Sequence, residues 1–322
     1  MSEGAGVMQL KDLFGGTSTG WAGYDEYIII EDGGERYVTP AMSAKIRDYD
    51  PLQSPVELVA DALNVGLLCV KPTRNQKPVE TAMLGFCARY GLLGFMCALP
   101  TTPDFWEYDV VYLPKNPVIR ADSMPLKEYE KIFFPQAKED LLIRKGKALA
   151  WFLGDLVPEG EPLIGVGERE AYKTMLKFSD LPFAQRHGFQ RGYAEPYDWL
   201  RNQFRDWASM FLSATLYYEE TEETMRELHR RALSAYSGVA PHYRIVLDGG
   251  APTFKWDFHS LLQTVQLLLS VMLADEARPL RACPECDKAF YAADMRAVFC
   301  SKECKNRYNV RKSRHNKQGQ DR

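Results

Sequence analysis

Apolar positions recur at helical spacing over most of the chain, and at strand spacing in a few short runs. The helical spacing predicts helices over 54–70, 79–97, 125–153 (in two pieces), 168–178, 196–218, 221–237 and 257–274. The strand spacing predicts strands over 27–31, 36–39, 106–113, 118–119, 243–247 and 253–256. Because the two kinds of element alternate irregularly with helix in excess, we expect an α+β fold with a mostly helical body and short β-hairpins.

Turn and capping residues mark the ends of several of these elements. The Asp-Gly-Gly sequences at 32–34 and 248–250 each separate two apolar runs, which favours tight hairpin turns. Ser54 precedes a helical run and is followed three residues later by a glutamate, which predicts an N-terminal cap. Asp257 stands in the equivalent position before the last helix of the body and is expected to cap it.

Four of the seven cysteines cluster in the order C-x2-C-x13-C-x3-C, at Cys283, Cys286, Cys300 and Cys304. Two close pairs at this separation are typical of one tetrahedral Zn2+ site. Since four thiolates leave no open position on the metal, we expect one structural zinc ion rather than a catalytic one. An iron–sulfur cluster and four unligated cysteines are the alternatives. The other three cysteines lie in apolar helical segments, where core packing is expected: Cys69, Cys87 and Cys97.

The residues between the cysteines predict a treble-clef-like zinc finger over 281–322. The segment 283–286 is expected to form a tight turn that points two sulfurs at one place. The runs 288–292 and 297–299 are expected to pair as a short hairpin around Asp294. A module of this size buries too little apolar surface to fold alone, so the metal would supply folding free energy.

A basic helix is predicted directly after the second cysteine pair. Ser301 is a favourable N-cap, and it places Cys304 in the first turn of a helix over 302–317. Three aromatic residues are expected to form the small core of the module: Phe290, Phe299 and Tyr308.

Charge is distributed unevenly between this module and the rest of the chain. Residues 281–322 carry eleven lysines and arginines against five acidic residues, a balance of +6. The remainder carries 29 against 38, a balance of −9, within a net charge of −3. A basic appendage on an acidic body favours an anionic partner. We therefore divide the chain into a flexible N-terminus (1–24), a body (25–280, with a division near 154–167 left open) and the finger (281–322).

The predicted helix carries the residues expected to contact nucleic acid. Arg307, Arg311 and Arg314 recur at i, i+4 and i+7 and share one stripe of the helix surface. Such a helix can read base edges in a major groove, or lie across phosphates without base preference. A solvated helix without a partner is the third alternative. The full predicted contact set is Lys302, Lys305, Asn306, Arg307, Arg311, Lys312 and Arg314.

The stretch RACPECDKAF through FCSKECKNRYNVRKSR resembles the CGNR zinc-finger family of bacterial proteins, which are described as stress-induced transcription regulators. The likeness covers about 240–317, a quarter of the chain. Lys305 replaces the glycine of the family's Cys-Gly-Asn-Arg, and the last two cysteines have three residues between them where many members have four. The resemblance implies metal ligation by the four clustered cysteines, and nucleic-acid contacts at Asn306 and Arg307. It assigns no family to residues 1–240.

The remaining patterns indicate no enzyme. The sequence contains no phosphate-binding loop, no G-x-G-x-x-G after a strand and no H-E-x-x-H, so we predict no catalytic residues and no cofactor besides zinc. A dense aromatic run over 178–211 is expected to be core, with a pocket for an effector as the alternative. The start of the chain has no signal-peptide pattern and no segment is long and apolar enough to span a membrane, so we expect a cytoplasmic protein.

Together these patterns predict a zinc-finger DNA-binding protein that acts as a transcription regulator. Its partner would be double-stranded DNA, and its body would sense a ligand or form a homodimer. The alternative is an RNA- or protein-binding zinc module on a body with a ligand-binding or enzymatic role.

Overall fold

The computed structural model of the chain describes residues 21–94, 110–112, 123–125, 132–133, 193–236, 238, 242–258 and 260–320, except 42, 73 and 295. The described residues form an α+β fold of helices and short antiparallel strands, as predicted. The helices are α1 (Pro55–Val70), α2 (Lys77–Tyr90), α3 (Tyr197–Glu219), α4 (Glu223–Ala235), α5 (Leu261–Ala274) and α6 (Lys302–Gln320). The predictions for 1–20, 118–119, 134–192 and Cys97 lie outside the described residues.

The strands are short and pair antiparallel in small sheets. They are β1 (Trp21–Tyr24), β2 (Tyr27–Asp32), β3 (Glu35–Pro40), β4 (Ile46–Tyr49), β5 (Val110–Tyr112), β6 (Ser123–Pro125), β7 (Glu195–Pro196), β8 (His242–Asp248), β9 (Ala251–Asp257), β10 (Leu280–Ala282) and β11 (Ala289–Tyr291). The pairs are β1 with β4, β5 with β6, β8 with β9 and β10 with β11, and β3 lies between β2 and β7.

The described residues separate into two compact units. The first takes the described residues of 21–53, 80–133, 193–202 and 238–264, and the second takes those of 54–79, 203–236 and 265–320. The cysteine-rich end of the chain therefore belongs to the unit that contains α1 and most of α3. The predicted domain boundaries after residues 24 and 280 stay predictions.

In the first unit both predicted Asp-Gly-Gly hairpins are present. Strands β2 and β3 pair from Tyr27 opposite Pro40 to Asp32 opposite Glu35. Strands β8 and β9 pair over seven residues each. Each turn is made by two glycines with positive φ, 59° and 88° in the first hairpin and 59° and 89° in the second. This backbone conformation matches the twist of paired strands, and glycine adopts it without steric cost.

The first unit contains a buried glutamate side chain that accepts three hydrogen bonds. Glu195 is fully buried and accepts hydrogen bonds from the backbone N–H of Leu93 (3.1 Å) and of Gly94 (2.7 Å). The hydroxyl of Tyr193 donates a third bond of 2.9 Å to the same side chain. Because buried charges need such partners, these three donors make the burial of Glu195 tolerable.

Two helix ends in the first unit differ from prediction. Helix α2 ends at Tyr90 rather than at residue 97, because Gly91 takes a left-handed conformation (φ 83°) and its N–H bonds back to Cys87. Asp257 does not cap α5, since it is the last residue of β9. Ser260 has that role instead, and its hydroxyl accepts a 3.0 Å hydrogen bond from the N–H of Gln263.

In the second unit the backbones of helices α1 and α3 approach each other closely. A Cβ atom placed on Gly66 of α1 would lie 2.0 Å from the carbonyl oxygen of Phe204 in α3, so only glycine permits this approach. Helix α1 has the predicted bounds, and Ser54 is its N-cap residue by position, but the Ser54 side chain makes no capping hydrogen bond to any described residue.

Aromatic side chains fill much of the described interior. The described part of the aromatic run is buried, as expected for core, with these residues at most 1% exposed: Tyr193, Tyr197, Phe204, Trp207 and Phe211. Cys69 and Cys87 are also buried, as predicted for cysteines of apolar helices.

Candidate metal centre and basic helix

The first cysteine pair lies in the turn of the hairpin formed by β10 and β11. Ala282 pairs with Ala289, and the turn is closed by hydrogen bonds from the Cys283 N–H to Lys288 O (2.9 Å) and from the Asp287 N–H to Cys283 O (2.8 Å). The predicted hairpin between 288–292 and 297–299 is therefore wrong in its second strand. The C-x2-C segment itself supplies the turn, so the partner of β11 precedes the cysteines instead of following them.

The outer edge of β11 is bound by a side chain of α1. Asn64 donates from Nδ2 to Ala289 O (3.0 Å), and its Oδ1 accepts from the Ala289 N–H (2.8 Å). The amide thus makes the two bonds that a further strand would make to residue 289. Sequence reasoning missed this contact, and the sequence signal for it was slight, a single amide in a mostly apolar helix.

The second cysteine pair flanks the start of α6. The N–H of Cys304 donates to the hydroxyl of Ser301 at 3.2 Å, which confirms Ser301 as the N-cap. Helix α6 then extends from Lys302 to Gln320, three residues beyond the predicted end. The ring centroids of Phe299 and Tyr308 are 5.1 Å apart, so these two side chains form part of the expected small core.

The structure brings all four predicted cysteines to one place. Their sulfur atoms all lie within 4.8 Å of one another. Cys286 Sγ is 3.6 Å from Cys300 Sγ, which is 3.5 Å from Cys304 Sγ. In a tetrahedron with bonds of about 2.3 Å to zinc, sulfurs are about 3.8 Å apart. The four side chains can therefore hold one metal ion, and this donor set fits Zn2+.

The surroundings of the sulfurs favour ionisation at two of them. Burial opposes ionisation of Cys283, but backbone N–H groups of Cys300, Glu285 and Cys286 donate to its sulfur and bring its pKa to about 6. The guanidinium of Arg307 donates to Cys304 Sγ at 3.1 Å and lowers the pKa of that thiol. Both shifts favour the thiolate, which is the form that binds a metal.

The other two thiols have raised pKa values. Burial is the main cause at both Cys286 and Cys300, and hydrogen bonds with neighbouring thiols add to it. Without a bound cation, the protein surroundings therefore favour the neutral thiol at these two positions. A bound cation would supply the missing positive charge.

Two of the predicted contact arginines bind groups within the cysteine-rich module. Besides the bond from Arg307 to Cys304, Arg311 Nη2 lies 3.1 Å from Glu285 Oε2. The Glu285 side chain is only 12% exposed, whereas that of Arg311 is 62% exposed. Sequence reasoning did not single out Glu285, because its partner lies 26 positions away on another element.

The other predicted contact residues are exposed on α6: Lys302, Lys305, Asn306, Lys312 and Arg314. Within the part of the chain that the structure describes, none of them makes an ion pair with an acidic side chain. Several residues of α6 also line an open depression of the surface, among them Asn306, Val310 and Arg314.

No protein-family model, no curated protein and no solved structure matches the chain. The resemblance to the CGNR family therefore rests on the sequence of about 240–317 alone, and it stays a prediction, as does the absence of enzyme activity. Among the described residues, no helix combines the length and the apolar character needed to cross a membrane.

Proposed function

We propose that the four cysteines bind one structural Zn2+ ion in a treble-clef-like finger, and that α6 contacts double-stranded DNA as part of a transcription regulator. The observation that carries the proposal is the convergence of four sulfurs at the first turn of an exposed basic helix. The metal would fix the start of the helix relative to the β10–β11 hairpin.

Zinc is the metal that this donor set favours. Four soft sulfur donors in a reducing environment select Zn2+ or iron–sulfur clusters, and a single closed tetrahedral site suits zinc. A Zn2+ ion with four thiolates carries a formal charge of −2, which would be costly beside buried groups. Arg307, at 3.1 Å from Cys304 Sγ, offsets part of that charge.

Electrostatics supports a polyanionic partner for α6. The balance of +6 in residues 281–322 contrasts with −9 elsewhere, so the potential of the molecule would orient this end toward nucleic acid. The exposed lysines supply contacts to phosphate, which provide most non-specific affinity. The likeness to the CGNR fingers, with Cys-Lys-Asn-Arg in place of Cys-Gly-Asn-Arg, agrees with this function.

The test combines metal analysis with a salt titration. Purified protein should contain one equivalent of zinc, and fluorescence anisotropy should detect binding to a mixed-sequence DNA duplex. If about four to six phosphates are neutralised, log affinity should fall against log salt with a slope of about −3.5 to −5.5. Absence of binding at low salt, or affinity independent of salt, would refute the proposal. A structured RNA that displaces the duplex would favour the RNA-binding alternative.

A further inference from the structure

Helix α6 has two faces of different chemistry. One face lies against the cysteine cluster and contains Cys304, Arg307, Tyr308 and Arg311. Cys304 is buried and Tyr308 is half-buried, while the two arginines contact Cys304 Sγ and Glu285 respectively. These contacts identify the side of α6 that packs against the cysteine cluster.

The opposite face is polar and exposed. Lys302, Asn306, Asn309 and Ser313 recur at i, i+4, i+7 and i+11, so they fall within about 60° of one another around the helix axis. All four are exposed. Val310 lies beside them and is 51% exposed.

The residue types on this outer face match the edges of base pairs. Asparagine can make two hydrogen bonds to adenine in the major groove, lysine and serine can bond to guanine, and a small apolar side chain can contact the thymine methyl group. Lys305 and Lys312 flank the face on one side, where they can reach phosphates. From Lys302 to Ser313 the helix rises about 16 Å, the length of about five base-pair steps.

We propose that α6 reads DNA through this outer face, with Asn306 and Asn309 on base edges and Lys305 and Lys312 on phosphates. Arg307 and Arg311 instead support the metal centre. This inference rests on the DNA-binding function proposed above and assigns its sequence-reading residues. B-form DNA is the partner because its major groove admits a helix, whereas the major groove of A-form RNA is too narrow for side chains to read.

The test is a selection experiment with full-length, zinc-loaded protein and a pool of randomised DNA duplexes. Wild type should enrich a short motif that contains adenine. Asn306→Ala and Asn309→Ala should each lower preference at one position by about tenfold while zinc content stays at one equivalent. Lys312→Ala is the matched control on the flank, and it should weaken binding to all sequences alike without changing the motif.

The role of the arginines is measured separately by transfer of zinc to a colorimetric chelator. Loss of a hydrogen bond to a metal ligand typically costs about 10- to 100-fold in metal affinity, so Arg307→Gln should lower zinc affinity by about tenfold or more. Arg314→Gln has the same change of charge on the same helix and should retain wild-type zinc affinity. Equal zinc affinity of the two variants would overturn the role given to Arg307.

The other outcomes separate the inference from the function on which it rests. A wild-type protein that binds duplexes without enriching any motif overturns the reading face but leaves DNA binding in place. The same holds if the motif survives both asparagine substitutions. A zinc-loaded protein that binds no duplex at low salt, or that prefers structured RNA, overturns both.

Discussion

Replacing Asn64 by alanine tests how firmly the cysteine module is joined to helix α1. The amide makes two hydrogen bonds to the backbone of Ala289, of 2.8 and 3.0 Å, and Ala289 is only 3% exposed. Each such bond contributes about 1 kcal/mol net, and a buried group left without a partner costs about 1–3 kcal/mol. We therefore expect Asn64→Ala to lower the free energy of unfolding by about 2–4 kcal/mol.

The assay is urea denaturation of the zinc-loaded protein, with chelator-accessible zinc measured at each urea concentration. Because residue 289 lies in the hairpin that carries the first cysteine pair, zinc should become accessible at lower urea in Asn64→Ala than in wild type. Lys71→Ala is the control, since it removes an exposed ion pair of 3.3 Å between Lys71, the residue that follows α1, and Asp287. Exposed pairs contribute about 0–1 kcal/mol, so this variant should stay close to wild type.

Equal denaturation midpoints for Asn64→Ala and Lys71→Ala would refute this reasoning. That result would mean that water replaces the amide at Ala289 without cost. Destabilisation without any change in zinc release would mean that the module holds its metal independently of α1.

Two further substitutions test other parts of the second unit. Gly66→Ala places a methyl group 2.0 Å from Phe204 O, and the resulting overpacking, about 1–3 kcal/mol or more, should exceed the gain in helix propensity of about 1 kcal/mol. Its melting temperature should therefore fall, and a rise would contradict the close crossing of α1 and α3. Cys286→Ser removes one of the four sulfurs, so zinc content measured by mass spectrometry should fall well below one equivalent. Arg314→Ala should keep its zinc, and loss of metal from both variants would contradict the separation between ligands and helix surface.

Local sequence patterns predicted the elements whose causes are local. The Asp-Gly-Gly sequences gave both hairpin turns, because glycine readily adopts positive φ in neighbouring turn positions. The bounds of α1 and α3 followed from apolar periodicity, and Ser301 was a correct cap. The cysteine spacing predicted the cluster, because two close cysteine pairs at this separation are typical of a shared metal site.

Predictions failed where the local sequence allowed more than one strand partner, helix cap or helix end. Strand β11 could pair with a segment on either side of it, and alternation alone does not distinguish them. Asp257 and Ser260 are both good caps, and the choice depended on how far β9 continued beside β8. Helix α2 stopped at Gly91 although the apolar pattern continued, because the backbone there turned left-handed.

The sequence by itself determined the presence of the cysteine site and of the basic helix after it, since both depend on residue types at short, fixed spacings. The tertiary structure decided which face of that helix is turned to the cluster and which is exposed, because Glu285 and Arg311 come together only once the hairpin and α6 are in place. It also decided that Asn64 binds the edge of β11, 225 positions away. Contacts between distant residues leave no periodic trace in the sequence, so only the folded chain reveals them.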